Sequence, residues 1–215
     1  MENLPFYISG GFIATTLLTV YFIYRASRYN KTVLVLSVAW LLLQGGLTLS
    51  GFYQVRGSVP PRFILLLIPP VLLIIGLFTT KRGHAFLAGF DADQLTLLHV
   101  VRLPVELTLW ALYLYYLVPG RMTFEGGNLD ILSGLSAPLI YYFGYRKPVI
   151  SRPWLMAWNI VCLLLLVNIV SRAVLSFGQP NLALFYFPFS WLPCFVVPAV
   201  LFAQLLNLRK LIQGR

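Results

Sequence analysis

Charge is scarce in this chain, and negative charge is scarcer still. Only 10% of its 215 residues are formally charged, with six acidic side chains against sixteen Lys and Arg. A soluble domain carries about a quarter charged residues, so a water-facing surface cannot be covered from this supply. Cysteine occurs only as Cys162 and Cys194, which fall at different depths of two hydrophobic runs, so no disulfide or redox pair is expected. Histidine occurs only as His84 and His99, too few and too peripheral for a zinc-protease helix or a haem ligand. Phosphate-cradling glycine loops are missing. The last hydrophobic run has Lys210 only at its end, which rules out a retinal Schiff base. The stretch Leu132-Ser133-Gly134-Leu135-Ser136 resembles a membrane serine-protease helix, but no histidine follows it. No cofactor and no metal are therefore expected.

Hydrophobic residues, by contrast, make up 59% of the chain, and the mean hydropathy is +0.82. A helix crosses the hydrocarbon core with roughly 20 apolar residues, each rising about 1.5 Å. Seven stretches qualify: 6–24, 33–53, 63–80, 95–118, 129–145, 154–176 and 184–208. Barrel strands would be half as long and would alternate in polarity; continuous runs such as Val161 to Val167 do not. The sequence thus predicts an all-α, polytopic seven-helix bundle forming one transmembrane domain over residues 1–215, with short connections and antiparallel neighbours.

The basic residues orient it. Arg25, Arg28, Lys31, Lys81, Arg82, Arg146, Lys147, Arg152, Arg209, Lys210 and Arg215 fall in one set of connections; Arg56, Arg62 and Arg121 fall in the other. By the positive-inside rule the richer side is cytoplasmic, giving an outside N-terminus and a cytoplasmic C-terminus, as in a bacterial inner-membrane protein. The net charge of +10 then meets anionic lipid heads rather than nucleic acid, and the lipid bilayer is the expected partner. The N-terminus, with Glu2 and no basic run, reads as a retained first helix. Tyr24, Tyr53, Trp154 and Tyr186 sit at span ends where an aromatic belt is expected.

Polar groups inside the spans mark candidate function, because an ionisable side chain at membrane depth costs several kcal/mol. The fourth span reads His99-Val-Val-Arg102-Leu-Pro104-Val-Glu106. Spacings of three and four place His99, Arg102 and Glu106 on one helical face. Pro104 removes a donor between them and frees the carbonyl of Val100. The two ions can pair along the helix as a structural lock, or serve a ligand.

A second cluster lies toward the outside. Asp130 and, on the sixth span, Asn168 and Arg172 are expected at similar depth, with Asp130 and Arg172 pairing or sharing a water network. Arg102, Glu106, Asp130 and Arg172 sum to zero, as a low-dielectric interior prefers. Gly126-Gly127 permits a tight reversal, so the loop carrying Glu125 and Asn128, together with Asn181 after the sixth span, is a candidate lid. The plainer reading is a polar loop in which Asn128 or Asp130 caps the fifth span.

Prolines interrupt the third span at Pro69-Pro70 and the seventh at Pro188, Pro193 and Pro198. Tyr24-Arg25 with Arg28 and Tyr145-Arg146 with Arg152 follow corresponding spans, and each pair leads into a helix bearing Trp40 or Trp158. A three-plus-one-plus-three plan with an outside N-terminus is similar in topology to the sugar-efflux and PQ-loop transporters, and no residue role is carried over from that likeness. Three functions fit. The first is a transporter or ligand-binding protein whose outward cavity, between spans four to seven, takes a small polar or lipidic ligand at His99, Arg102, Glu106, Asp130, Asn168 and Arg172. The second is a membrane-embedded enzyme acting on a lipid or isoprenoid. The third is a subunit or assembly factor with a protein partner.

Overall fold

The computed structural model describes residues 4–55, 61–178 and 182–214. Among them the secondary structure is entirely helical. Helix α1 (Phe6–Ala26) turns sharply into α2 (Lys31–Leu49), whose first turn is capped by Asn30, its side chain accepting from the amide of Thr32. Helix α3 (Ile64–Thr79) and the short α4 (Lys81–Ala88) follow. Next come α5 (Ala92–Leu98) and α6 (Arg102–Leu114), joined by a 3-10 turn at His99–Val101 into one long helix. Helix α7 (Ile131–Tyr141), α8 (Arg152–Val174) and α9 (Val197–Gln213) complete the bundle.

Among the described residues, five helical segments are long and apolar enough to cross a membrane: 6–26, 31–49, 92–114, 152–174 and 192–213. Helices α3 and α4 make a sixth if taken together, but they are bent by 91° at Thr80. Helix α3 covers nearly the whole of the expected third run, 63–80, and the crosswise α4 follows it. Thr80 caps α4 by accepting from the amide of Gly83. Only glycine fits at 83, where a Cβ would stand 2.6 Å from the Cα of Leu77. The fifth expected span is shorter than a usual crossing. Helix α7 and the π turn Tyr142–Arg146 together cover 131–146, which is about 24 Å at 1.5 Å per residue against a core of about 30 Å.

The α5–α6 helix is the axle of the bundle: α1, α7 and α9 all pack on it. It carries the polar face inward because its other neighbours are apolar, and Leu95, Leu98, Val101, Leu109 and Leu112 are buried beside the polar residues. Its 3-10 turn lies where the ring of Pro104 would meet the carbonyl four residues back, at Val100. Helix α7 approaches α6 with Gly134 facing the backbone of Leu103; a Cβ there would lie 2.7 Å from the Leu103 nitrogen.

The prolines of the last hydrophobic run are absorbed by a π turn at Leu192–Val196 before α9 begins. Pro198 leaves the carbonyl of Cys194 without its helical donor, and the indole of Trp40 on α2 supplies one at 2.9 Å. In return the indole of Trp191 donates to the carbonyl of Leu41 at 3.0 Å. Tyr53, expected at the interface, is instead buried and donates to Gln44 Oε1 at 2.5 Å. Trp40→Phe is expected to destabilise the bundle by about 1–2 kcal/mol, since it strands a buried carbonyl. Trp191→Phe is expected to cost less, because Leu41 lies inside α2 and keeps its helical donor. Thermal unfolding of both variants in detergent checks the order.

At the Lys/Arg-rich end, Arg28 bonds Asp91 at 2.8 Å and Arg146 approaches Asp93 at 3.7 Å. The hydrogen bonds and charge of Asp91 hold the Arg28 guanidinium above its ordinary pKa. Arg152, opening α8, donates to the carbonyl of Ile212 at 2.9 Å and closes the end of α9.

Candidate functional site: a sealed polar cluster on the central helix

Directly after the 3-10 turn, as the first residue of α6, Arg102 extends toward α7 and α8. Its Nε donates to Asp130 Oδ2 at 2.7 Å, its Nη2 donates to Asp130 Oδ1, and Nη2 also reaches the carbonyl of Cys162 at 3.1 Å. The pair is fully inside, with 2% of the Arg102 and 4% of the Asp130 surface exposed. Asp130 therefore pairs with Arg102, not with Arg172 as its depth in the sequence suggested. The reason lies in the loop before α7. That loop runs inward, so Asp130 begins its helix within the core rather than at the surface.

The loop owes this path to its glycines. Two 3-10 turns, Gly120–Met122 and Phe124–Gly126, fold on Thr123, whose carbonyl accepts from the amides of Gly126 and Asn128. Gly126 lies so close to the segment above it that a Cβ would collide with the carbonyl oxygen of Gly120. Gly127 has φ +86°, in the left-handed region that favours glycine. The next residue, Asn128, is thereby driven into the core. Its Nδ2 donates to Glu106 Oε1 at 2.5 Å and to the carbonyl of Met122 at 3.3 Å, while its Oδ1 accepts from the amide of Asp130 at 3.2 Å. Asn128 caps the chain entering α7, whereas Asp130 makes no capping bond.

Arg172 is where the outer cluster departs most from expectation. It bonds Asn168 Oδ1 at 2.9 Å and then the carbonyls of Arg121 and Gly126 at 3.1 and 2.7 Å. Arg121 answers by donating to Ser176 Oγ and to the carbonyl of Leu175. Asn168 and Arg172 thus clamp the back of the loop and do not face Glu106. Glu125 is exposed and accepts from the indole of Trp110 at 2.8 Å. Asn181 lies outside the described residues. The structure brings together His99, Arg102, Glu106, Asn128 and Asp130, and sets Asn168, Arg172 and Glu125 around their cover.

His99 is completely buried and packs edge-on against Trp158, with ring centroids 5.6 Å apart. Neither of its ring nitrogens has a hydrogen-bond partner among the described residues, and the same holds for Glu106 Oε2, Arg102 Nη1 and Ser133 Oγ. Ser133, the Cys162 carbonyl and Trp158 are members of the cluster that residue spacing did not reveal. The small residues of α7 could signal Ser133 alone, since Trp158 and Cys162 lie on α8. No group of three His, Cys, Asp or Glu among the described residues is arranged to hold a metal ion.

The charge count changes with the partners. With Arg172 outside, the enclosed ions are Arg102, Asp130 and Glu106: one positive against two negative. A low-dielectric site of this kind closes neutral only with one further positive charge, carried as a proton or a cation. Compared with protein-family models, curated proteins and solved structures, the chain matches none.

Proposed function

We propose that the protein is a small transporter of a bacterial inner membrane, crossing it seven times with its N-terminus outside and its C-terminus in the cytoplasm. The excess of Lys and Arg at one end supports that direction. The count of seven takes α3 with α4 as one crossing and accepts 131–146 as a short one. Helical rather than barrel spans favour the inner membrane.

The observation that carries the transport reading is the sealed site's missing positive charge beside unpartnered buried acceptors. Glu106 takes up a proton or small cation, and the ligand is a small polar solute that uses His99, Arg102 and Asn128. The described conformation is an occluded one. Loop 119–130 is the outer cover, fastened by Arg172 and Arg121. The Arg28–Asp91 and Arg146–Asp93 pairs, at the foot of the central helix, are the inner latch. Alternating access requires breaking one set of fastenings while the other holds.

Proteoliposomes under an inward proton gradient, screened with amino acids, sugars and small organic cations, test the reading. Solute uptake is expected in wild type and is expected to fall to the level of empty vesicles in Glu106→Gln. Uptake surviving that change would remove Glu106 from the mechanism, and no uptake across the panel would remove transport. A second reading, an enzyme acting on a lipid or isoprenoid, is favoured by the unpartnered imidazole of His99, which would serve as acid or base. Turnover of a lipid extract that is lost in His99→Ala would support it.

A further inference from the structure

A second feature shares no residue with the polar cluster. Between helices α2 and α3 runs a cavity of about 490 Å³. Pro69 and Pro70 form one wall, Leu36 and Trp40 the other, and Pro198 and Phe202 of α9 the floor. Phe86 of the crosswise α4 and Phe90, which follows that helix, also line it. The lining is apolar apart from Thr32 and Ser37, both on α2 toward the Lys/Arg-rich end. At the deep end, the one strong donor, the Trp40 indole, is already bound to the Cys194 carbonyl. A polar head group therefore has no place there.

The mouth is different. Lys31, next to Thr32, and Lys81 and Arg82, which open α4, are exposed and make no ion pair among the described residues. All three stand in the first turn of a helix, where a positive side chain opposes the helix dipole. Each side chain and each helix N-terminus favours a nearby anion. The groove follows α2 from Thr32 to Trp40, about 12 Å at 1.5 Å per residue. That is close to half of a hydrocarbon core of about 30 Å, the depth of one leaflet.

We infer that this groove holds one acyl chain of an anionic phospholipid from the leaflet at the basic end, with its phosphate at Lys31, Lys81 and Arg82. The inference is independent of the transport reading, because the groove shares no residue with the polar cluster. The test reconstitutes the full chain in vesicles of equal phosphatidylglycerol and phosphatidylcholine, extracts it in mild detergent, and counts retained lipid by native mass spectrometry. Wild type is expected to retain one phosphatidylglycerol per chain, preferred by about tenfold or more, since each basic residue near an anionic head contributes several-fold. The triple variant K31Q/K81Q/R82Q is expected to retain lipid with no preference between the two heads. Ser37→Trp, which fills the groove, is expected to lose the retained lipid, and Leu73→Trp fills it from the α3 wall should the first variant fail to fold. Equal retention of both lipids by wild type, or full retention by the filled variants, overturns the inference. So does a dimer that dissociates on filling the groove, which would assign the face to a second copy of the chain.

Discussion

Arg102→Met is expected to destabilise the protein by about 3–5 kcal/mol, the cost of leaving a buried ion without its partner. The loss is larger than one hydrogen bond because Arg102 is the only cation in the sealed cluster. Without it, Asp130 and Glu106 are two buried carboxylates that must both be neutralised, and the Cys162 carbonyl loses a donor. Adding Asp130→Leu is expected to restore most of the stability, because a buried ion pair replaced by apolar residues of similar size is often neutral or better. The double variant again leaves one carboxylate needing one positive charge, as in wild type. Thermal unfolding of the single and double variants in detergent reads the difference. A single variant as stable as wild type would mean that the pair is not enclosed.

Gly126→Ala is expected to lift the cover from the site. The new methyl group meets backbone, the Gly120 carbonyl and the Cα of Arg121, not a flexible side-chain tip. The segment must move, and Asn128 leaves Glu106 with it. Losing that hydrogen bond, worth about 0.5–1.5 kcal/mol, raises the open population severalfold. A water-soluble carbodiimide is expected to leave Glu106 untouched in wild type, where its side chain is wholly buried, and to label it in Gly126→Ala. Gly127→Ala strains φ without a collision, at roughly 1–2 kcal/mol, and is expected to give weaker labelling. Equal protection of Glu106 in all three proteins would show that the loop is not its cover.

The helical character and the membrane-compatible length of most runs could be read from the sequence, because both depend on local quantities: apolar length and the inward face of a helix. His99, Arg102 and Glu106 share a face for the same reason. Their partners were not legible. Spacing of four allows Arg102 and Glu106 to meet along the helix, but it does not exclude a better acceptor from elsewhere, and Asp130 arrives from 28 residues further on. It arrives because two glycines redirect a loop, and a glycine pair indicates that a tight turn is allowed without saying where it points. The crosswise helix after Thr80 was missed on similar grounds, whereas the fifth run, expected at 129–145, is as short as the sequence indicated. Hydropathy registers how apolar a segment is and carries nothing about its direction.

The contact between Gly134 and Leu103 sets how this bundle can be deformed. With backbone against backbone and no side chain between, there is nothing compressible at that crossing, so α6 and α7 travel as one stiff block that carries Arg102 and Asp130 together. Helix α7 also packs against α5 and the 3-10 turn at His99–Val101, so that turn is splinted and bending is left to the π turn at Tyr142–Arg146, where the hydrogen-bond register already departs from the α-helix. The ion pair rides on the lever, and the hinge lies outside it.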